Sequence, residues 1–410
     1  MGGTTFADAT DELRALFDGP QYKRLLLIDF PKADTPALFL INQLLAREAI
    51  SRSFRYEVEV MSDDVRIPLE SVMGKMVTVS LVREDDSVRY FNGYVTEFRF
   101  VKMASGFAFY SMVLEPWLAF LRLRQDCAIF HDQSVLDITE ATFARYAERD
   151  WRHQLFDACP TIACAIQPGE TDYNHLHRRW EALGLHYWYE HREDGHTLWL
   201  GDNTSLAAPV DGGPDPSAPQ RIRFRQNSSN TPEEDGIDEW QAMRRLRDHN
   251  ASRQYFEAKG SARMAQPGRS FMLGGIAHGE YLVLSATHRA GNNYHVLGGA
   301  PSEHENSLIC MRKSVQWRPR PGFNSVQTTI QGLQTATVVA LPDQHDAGQA
   351  KVRFHWDRAA TDLHTAWVPF EGTAPLVGQE VIVQFLDGNA DRPVILGQGQ
   401  HDASGSSTME

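Results

Sequence analysis

Apolar residues fall at every second position over much of this chain. In FRYEVEVMS, Phe54, Tyr56, Val58 and Val60 share one face, with Arg55, Glu57 and Glu59 opposite. That period of two marks a half-buried β-strand. YKRLLLIDF, MVTVSLVRE, RYFNGYVTEFRFV and FAFYSMVLEPW have the same texture: short, rich in β-branched and aromatic residues, and separated by Gly, Pro or Asp turns. In this stretch only LINQLLAREAI reads as a short helix. Residues 22–120 therefore predict a barrel or sandwich, with no room for alternating βαβ units.

The pattern changes across residues 121–205. SVLDITEATFARYAERDW has helical spacing, with Leu136, Ile138, Phe143 and Tyr146 broadly on one side and Ser134 as its N-cap. A second helix is expected from about Tyr173 to Leu183, stopped by Gly184 at the C-cap position. LHYWYEH and HTLWLGD then form two strands joined by a turn at Asp194 and Gly195. The fold class is thus mainly β with an α+β middle block. Residues 206–236, containing LAAPVDGGPDPSAPQ, read as linker and loop.

Residues 237–316 return to β texture in GIDEWQAMRRLR, ARMAQPGRSFMLGG, GEYLVLSATHRAG and ICMRKSVQW, suggesting a second barrel-like domain. WRPRPGFNSVQ is a Pro-rich joint. Residues 317–400 then hold five short strands, which suit a small closed barrel of the OB type. In AKVRFHWDR, Val352, Phe354 and Trp356 alternate with a polar row of Arg353, His355 and Asp357. Residues 1–21 read as an N-terminal extension and 401–410 as a flexible tail.

The length of 410 residues fits two to four domains. Charged residues make up 23% and hydrophobic residues 42%, an ordinary globular balance. A formal charge of −13 is a poor match to nucleic acid or an anionic membrane. Cys127, Cys159, Cys164 and Cys310 form no CxxC pair and read as free thiols of a reducing compartment. The first twenty residues lack the apolar core of a secretory signal, and no run of about 18 apolar residues occurs.

The densest polar cluster is His175, His177, His186, His191 and His196. A metal would need three or four such groups converging on one ion. Two apart on a helix, His175 and His177 point in different directions, so the expectation is no metal site. No G-x-S-x-G elbow, H-E-x-x-H helix or P-loop occurs, and EHEN at 303–306 lacks a second His at zincin spacing. In RIRFR, Arg221, Arg223 and Arg225 share a strand face, and the only aromatic nearby, Phe224, would face the other way. That reads as a charged edge or a salt-bridged subunit contact, not a nucleic-acid groove.

Several of these pieces resemble the VgrG family, the spike proteins at the tip of type VI secretion systems, related to contractile-phage tail hubs. The resemblance rests most on QTATVVALP, KVRFHWDR, WVPF and GQEVIVQFLDGNADRPVILGQ, and next on TDYNHLHRRWEALGLHYWYEH with HTLWLGD. FNGYVTEF, LEPWLAFLRLRQDCAIFHDQSVLDI and YLVLSATHRA follow in the same order, so the likeness covers about residues 22–400.

The resemblance implies a homotrimer in which two tail-hub barrel-like domains per chain, residues 22–120 and 237–316, build a pseudo-sixfold ring on the Hcp tube. An OB-fold collar follows, then a β-helical needle capped by a PAAR-type tip. It implies a mechanical part, not an enzyme, with no cofactor. Its partners would be itself, Hcp, the tip or needle, baseplate proteins and effectors, with no nucleic acid and only transient membrane contact. It would be cytoplasmic before firing and then delivered outside the cell. Val352, Phe354, Trp356, Trp367, Val381, Val383 and Phe385 would be collar core or trimer contacts.

Two departures from the family pattern stand out. The loop between Trp367 and Gly378 is short, and no repeating β-solenoid follows DRPVILGQ. The second fits a needle-less hub, a needle on another polypeptide, or a shortened chain. Two rival readings remain: an envelope-polymer hydrolase built around Glu181, His186 and Glu190, and the hub of a phage-derived tail.

Overall fold

The structure is a computed structural model. It describes residues 24–33, 37–83, 86–104, 106–210, 225–226, 255–273, 278–292, 302–342, 348–356 and 365–398. The expected extension and tail, GIDEWQAMRRLR, Arg221, Arg223 and Asp357 lie outside the described residues.

In chain order the strands begin with β1 (Leu26–Asp29), β2 (Leu40–Ala49), β3 (Arg55–Ser62), β4 (Met76–Val82), β5 (Val88–Ala104) and β6 (Phe107–Glu115). The middle of the chain holds β7 (Gln125–Ser134), α1 (Val135–Phe143), β8 (Trp151–Gln154), β9 (Thr161–Thr171), α2 (Asp172–Leu183), β10 (His186–Arg192) and β11 (Gly195–Gly201). β12 (Arg225–Gln226), β13 (Tyr255–Gly260), β14 (Ser270–Leu273), β15 (Gly279–Gly291) and β16 (Glu303–Arg312) come next. The last five are β17 (Gln334–Ala340), β18 (Gln349–Phe354), β19 (Ala366–Pro369), β20 (Glu380–Phe385) and β21 (Pro393–Gln398).

The chain forms two compact units, each discontinuous in sequence. Unit 1 comprises Met1–Ala119, Asp150–Phe156 and Gly184–Pro319; unit 2 comprises Phe120–Arg149, Asp157–Leu183 and Arg320–Glu410. The helix-bearing middle segment is thus shared between them.

Unit 1 is built on an 11-stranded sheet ordered β1-β4-β5-β6-β3-β2-β15-β16-β13-β12, with β14 on β15. The early and late β segments therefore meet within one sheet, where Gln43–Ala49 pairs antiparallel with Ser285–Gly291. Phe54, Tyr56, Val58 and Val60 are buried, while Arg55 and Glu57 sit half-exposed in ion pairs on the other face. Gly93 permits close strand approach: a Cβ there would lie 2.9 Å from Leu114 Cβ.

LINQLLAREAI is a strand, not the expected helix. Leu, Gln, Ala, Arg and Glu favour helix only weakly. Here β3 and β15 pair with both edges of β2 and override that preference. Leu44, Ala46 and Glu48 face inward, Gln43 outward. β10, β11 and β8 form a smaller sheet in which β8 runs parallel to β11.

In unit 2, Ser134 caps α1 through a capping box with Asp137. Gly184, at φ +67°, follows the end of α2. The helices meet where Trp180 Nε1 donates to Thr139 Oγ1 at 2.9 Å. Five strands follow in the order β19-β18-β17-β20-β21. A parallel bridge from Phe370 to Ile395 brings the two ends of that sheet together. Ile129 of β7 and Ile166 of β9 join its core.

Candidate functional site

Charged side chains sit inside both units, and their partners show what each arrangement can do. In unit 1, Glu48 occupies a core position of β2 and is 5% exposed. Arg89 of β5 donates to its Oε2 at 2.5 Å, and Tyr56 of β3 donates to Oε1 at 2.8 Å. His191 Nδ1 accepts the Asn92 backbone N–H at 3.1 Å. Nδ1 also lies 3.1 Å from Asn92 Oδ1, and Nε2 lies 3.0 Å from the Tyr56 oxygen. Tyr56 thus links His191 to Glu48.

Burial works against the Glu48 charge, but Arg89 and His191 hold its pKa at about 2. Burial lowers His191 and takes His288 down to about 4. The cluster is a buried ion pair that ties together β2, β3, β5 and β10.

Unit 2 uses carboxylates to hold irregular chain. Glu181 of α2 accepts the backbone N–H groups of Gly322, Phe323, Asn324 and Ser325, at 2.6–3.2 Å, and the Ser325 hydroxyl at 2.7 Å. Two turns earlier, Asn174 Oδ1 accepts from Val326 N at 2.7 Å. Glu170 takes Thr328 Oγ1 at 2.8 Å, Arg178 at 2.7 Å and His175 at 3.0 Å. The segment read as a Pro-rich joint is therefore bound along α2. Arg179 makes a forked pair with Asp391, in the turn before β21, at 2.6 Å to Oδ1, which also accepts Ile166 N at 3.1 Å.

Burial opposes the Glu170 charge, but His175 and Arg178 hold it at about 2; Asp391, also opposed by burial, is kept low by Arg179. Sequence reasoning missed Glu48, Arg89, Glu170, Arg179 and Asp391. A charge at an inward position of β2 was the available signal, and the helical reading of that segment concealed it.

The residues singled out in the sequence are distributed as follows. Val352, Phe354, Val381, Val383 and Phe385 are buried in the five-stranded core, and Trp356 packs partly buried against it. Trp367 is half-buried, on the opposite face of β19 from buried Val368. The expected strand through Asp357 stops at Phe354, because pairing with β19 ends at Val352 and pairing with β17 at Phe354. His355 therefore lies in a turn, exposed, with Nε2 3.1 Å from Glu380 Oε1, while Arg353 remains in β18. Arg225 lies in the two-residue β12.

The histidines do not converge. His175 and His177 belong to unit 2; His186, His191 and His196 belong to unit 1. Among the described residues no three His, Cys, Asp or Glu side chains are grouped to hold a metal. The proposed hydrolase set is likewise divided. Glu181 is saturated by backbone donors in unit 2, whereas His186 and Glu190 line a cleft of about 190 Å³ in unit 1.

A half-barrel sheet, bound joints and buried ion pairs describe a scaffold, and comparison with known proteins gives that scaffold a family. The profile of the phage tail baseplate hub family (GPD) matches residues 47–256, just over half of the chain. The chain belongs to the phage tail baseplate hub family. Its relatives include the type VI secretion system spike proteins VgrG1a and VgrG1b of Pseudomonas aeruginosa, at 28% and 27% identity over 92% of this chain. The chain spans 70% of VgrG1a and 60% of VgrG1b.

This hub also shares its fold with the E. coli c3393 protein, described as a component of the type VI secretion system similar to T4 bacteriophage tail proteins gp27 and gp5. That likeness has a TM-score of 0.69 at 20% identity and covers 91% of this chain and 99% of the other. No helix among the described residues is long and apolar enough to cross a membrane.

Proposed function

We propose that this chain is a structural spike-hub component of a type VI secretion apparatus and not an enzyme. The observation that carries the reading is VgrG similarity along 92% of the chain, running through hub and collar segments alike. The joint between those segments is held to α2 by Glu181 and Asn174, and the β20–β21 turn by Arg179. A part that transmits force needs such fastening, and no catalytic pair is required for it.

In this reading residues 22–120 and 237–316 form the hub ring and 317–400 the collar. The collar is an OB-fold: the strand order and the parallel Phe370–Ile395 bridge support that assignment. The chain assembles as a homotrimer, with Val352, Phe354, Trp356, Trp367, Val381, Val383 and Phe385 at the collar core or trimer contact. The ring docks on the Hcp tube and baseplate, and the collar carries a PAAR-type tip or separate needle with effectors. The protein resides in the cytoplasm until firing delivers it outside.

Two measurements test this. Light scattering should give three times the 46.3 kDa chain mass. Expression in a type VI-active strain lacking its own spike protein should restore release of the tube protein. A concentration-independent monomer that also fails to restore release would refute the proposal.

A further inference from the structure

The small sheet β10-β11-β8 is sided in an unusual way. One face carries Tyr187, Tyr189, Leu198 and Leu200, all buried in unit 1. The other carries His186, Trp188 and Trp199 in a continuous aromatic row. His186 and Trp188 lie 5.7 Å apart, Trp188 and Trp199 6.1 Å apart, with interplanar angles of 24° and 9°. Gly201 and Gly268 make this packing possible, since a Cβ at Gly268 would fall 2.8 Å from Trp188. Together with the loops around Asn203 and Arg269, the row walls the 190 Å³ cleft, and Phe156, 58% exposed, stands at its edge.

Two of the residues that line this cleft each carry a buried polar atom without a hydrogen-bond partner: His186 Nδ1 and Trp199 Nε1. His186 is only 3% exposed, and its burial takes its pKa down to about 4, so the ring is neutral. Glu190 and Arg269 also line the cleft but neutralise each other at 2.7 Å. Gln154 and Asn203 add amides that both donate and accept. Net charge therefore offers a ligand nothing, whereas ring faces and paired hydrogen-bonding groups are abundant.

We propose that this cleft binds a neutral pyranose ring. The C–H face of a sugar complements the negative face of an indole. Hydroxyl groups, each both donor and acceptor, can serve the Trp199 N–H and the His186 nitrogen at once. The cleft is smaller than the roughly 300–1,000 Å³ typical of drug-sized ligands and accepts a single ring. An extended proline-rich peptide would also stack on aromatic side chains, but it needs an open groove and brings mainly carbonyl acceptors. This inference does not depend on the secretion role.

The test is calorimetric titration of the whole chain with glucose, N-acetylglucosamine, chitotriose and a proline-rich decapeptide. Saturable sugar binding in the millimolar range, weakened about tenfold or more by Trp199→Ala, is expected. Equal affinity for monosaccharide and trimer would support a single-ring site; tighter trimer binding would support a glycan chain as its source. Trp199 is partly buried against Trp188, so the melting temperature of Trp199→Ala is compared with the parent's before titration. Phe156→Ala, at the rim, supplies a second variant that should weaken binding should Trp199→Ala fail to fold. Absence of sugar binding, sugar binding untouched by these substitutions, or binding of the peptide alone would overturn the proposal.

Discussion

Unit 1 and unit 2 both bury carboxylates, and they satisfy them with different donors. Around Glu48 every donor is a side chain, and Arg89, Tyr56 and His191 reach it from three different strands. Glu181 is met chiefly by backbone N–H groups of residues 322–325, and Asp391 by both Arg179 and a backbone N–H. A sheet core already satisfies its backbone through the ladder, so a buried charge there can only cross-link strands. An irregular segment has unmet backbone donors, and a carboxylate on a helix can gather several of them and hold the segment in one path. The first device sets how strands register; the second sets where a joint lies.

The comparison can be broken most sharply at Arg89. Arg89→Ala leaves Glu48 buried and unpaired and should cost about 3–5 kcal/mol in urea unfolding. Adding an apolar replacement of Glu48 should recover part of that loss. A single variant as stable as the parent would mean the ion pair contributes nothing.

Next, Glu181→Ala removes the acceptor for four backbone donors and should cost about 2–3 kcal/mol. It should also open residues 319–328 to limited proteolysis, with unit 1 unaffected. Unchanged protease resistance would show that Glu181 does not hold the joint.

Acid should affect both units. His175, His186 and His288 are held at about 4 and His304 at about 3 by burial, all below the ordinary 6.5. Their unfolded forms bind protons first, so stability should fall as pH drops from about 6.5 towards 4. Glu48 and Glu170, at about 2, add a further loss below about 4.5, because their stabilisation exists only while they are charged. A melting temperature constant from pH 7 to 4 would contradict this.

The smallest effect belongs to His355→Ala. This exposed partner of Glu380 should change stability by no more than about 0.5 kcal/mol, which sharpens the contrast between buried and exposed pairs. A loss of several kcal/mol would give His355 a structural role that its exposure does not suggest.

Much of the local structure was legible. The Phe54–Val60 alternation, the Ser134 cap, the Gly184 stop and the 186–201 hairpin depend on neighbours within a few residues, so their signals are local. β2 was not legible, because its weak helical preference is overruled by strands it meets only after folding. The end of β18 at Phe354 was misread for a similar reason: alternation continues through Asp357, but the partner strands do not. The aromatic row His186–Trp188–Trp199 was visible as residues, whereas the cleft above it needed the loops around Asn203 and Arg269.

What the sequence determined alone was periodicity, and with it a mainly β chain with helices at 135–143 and 172–183 in its middle segment. Its collinear motifs also carried the VgrG resemblance. Only the tertiary structure decided which charges meet. Glu48 and Arg89 are 41 residues apart, and Arg179 and Asp391 are 212 apart. Hydrophobic patterning leaves such partners undetermined, because it specifies which face is buried but not which distant side chain lies opposite. That choice rests with strand order, here the pairing of β2 with β15, and with the path of residues 322–328 along α2.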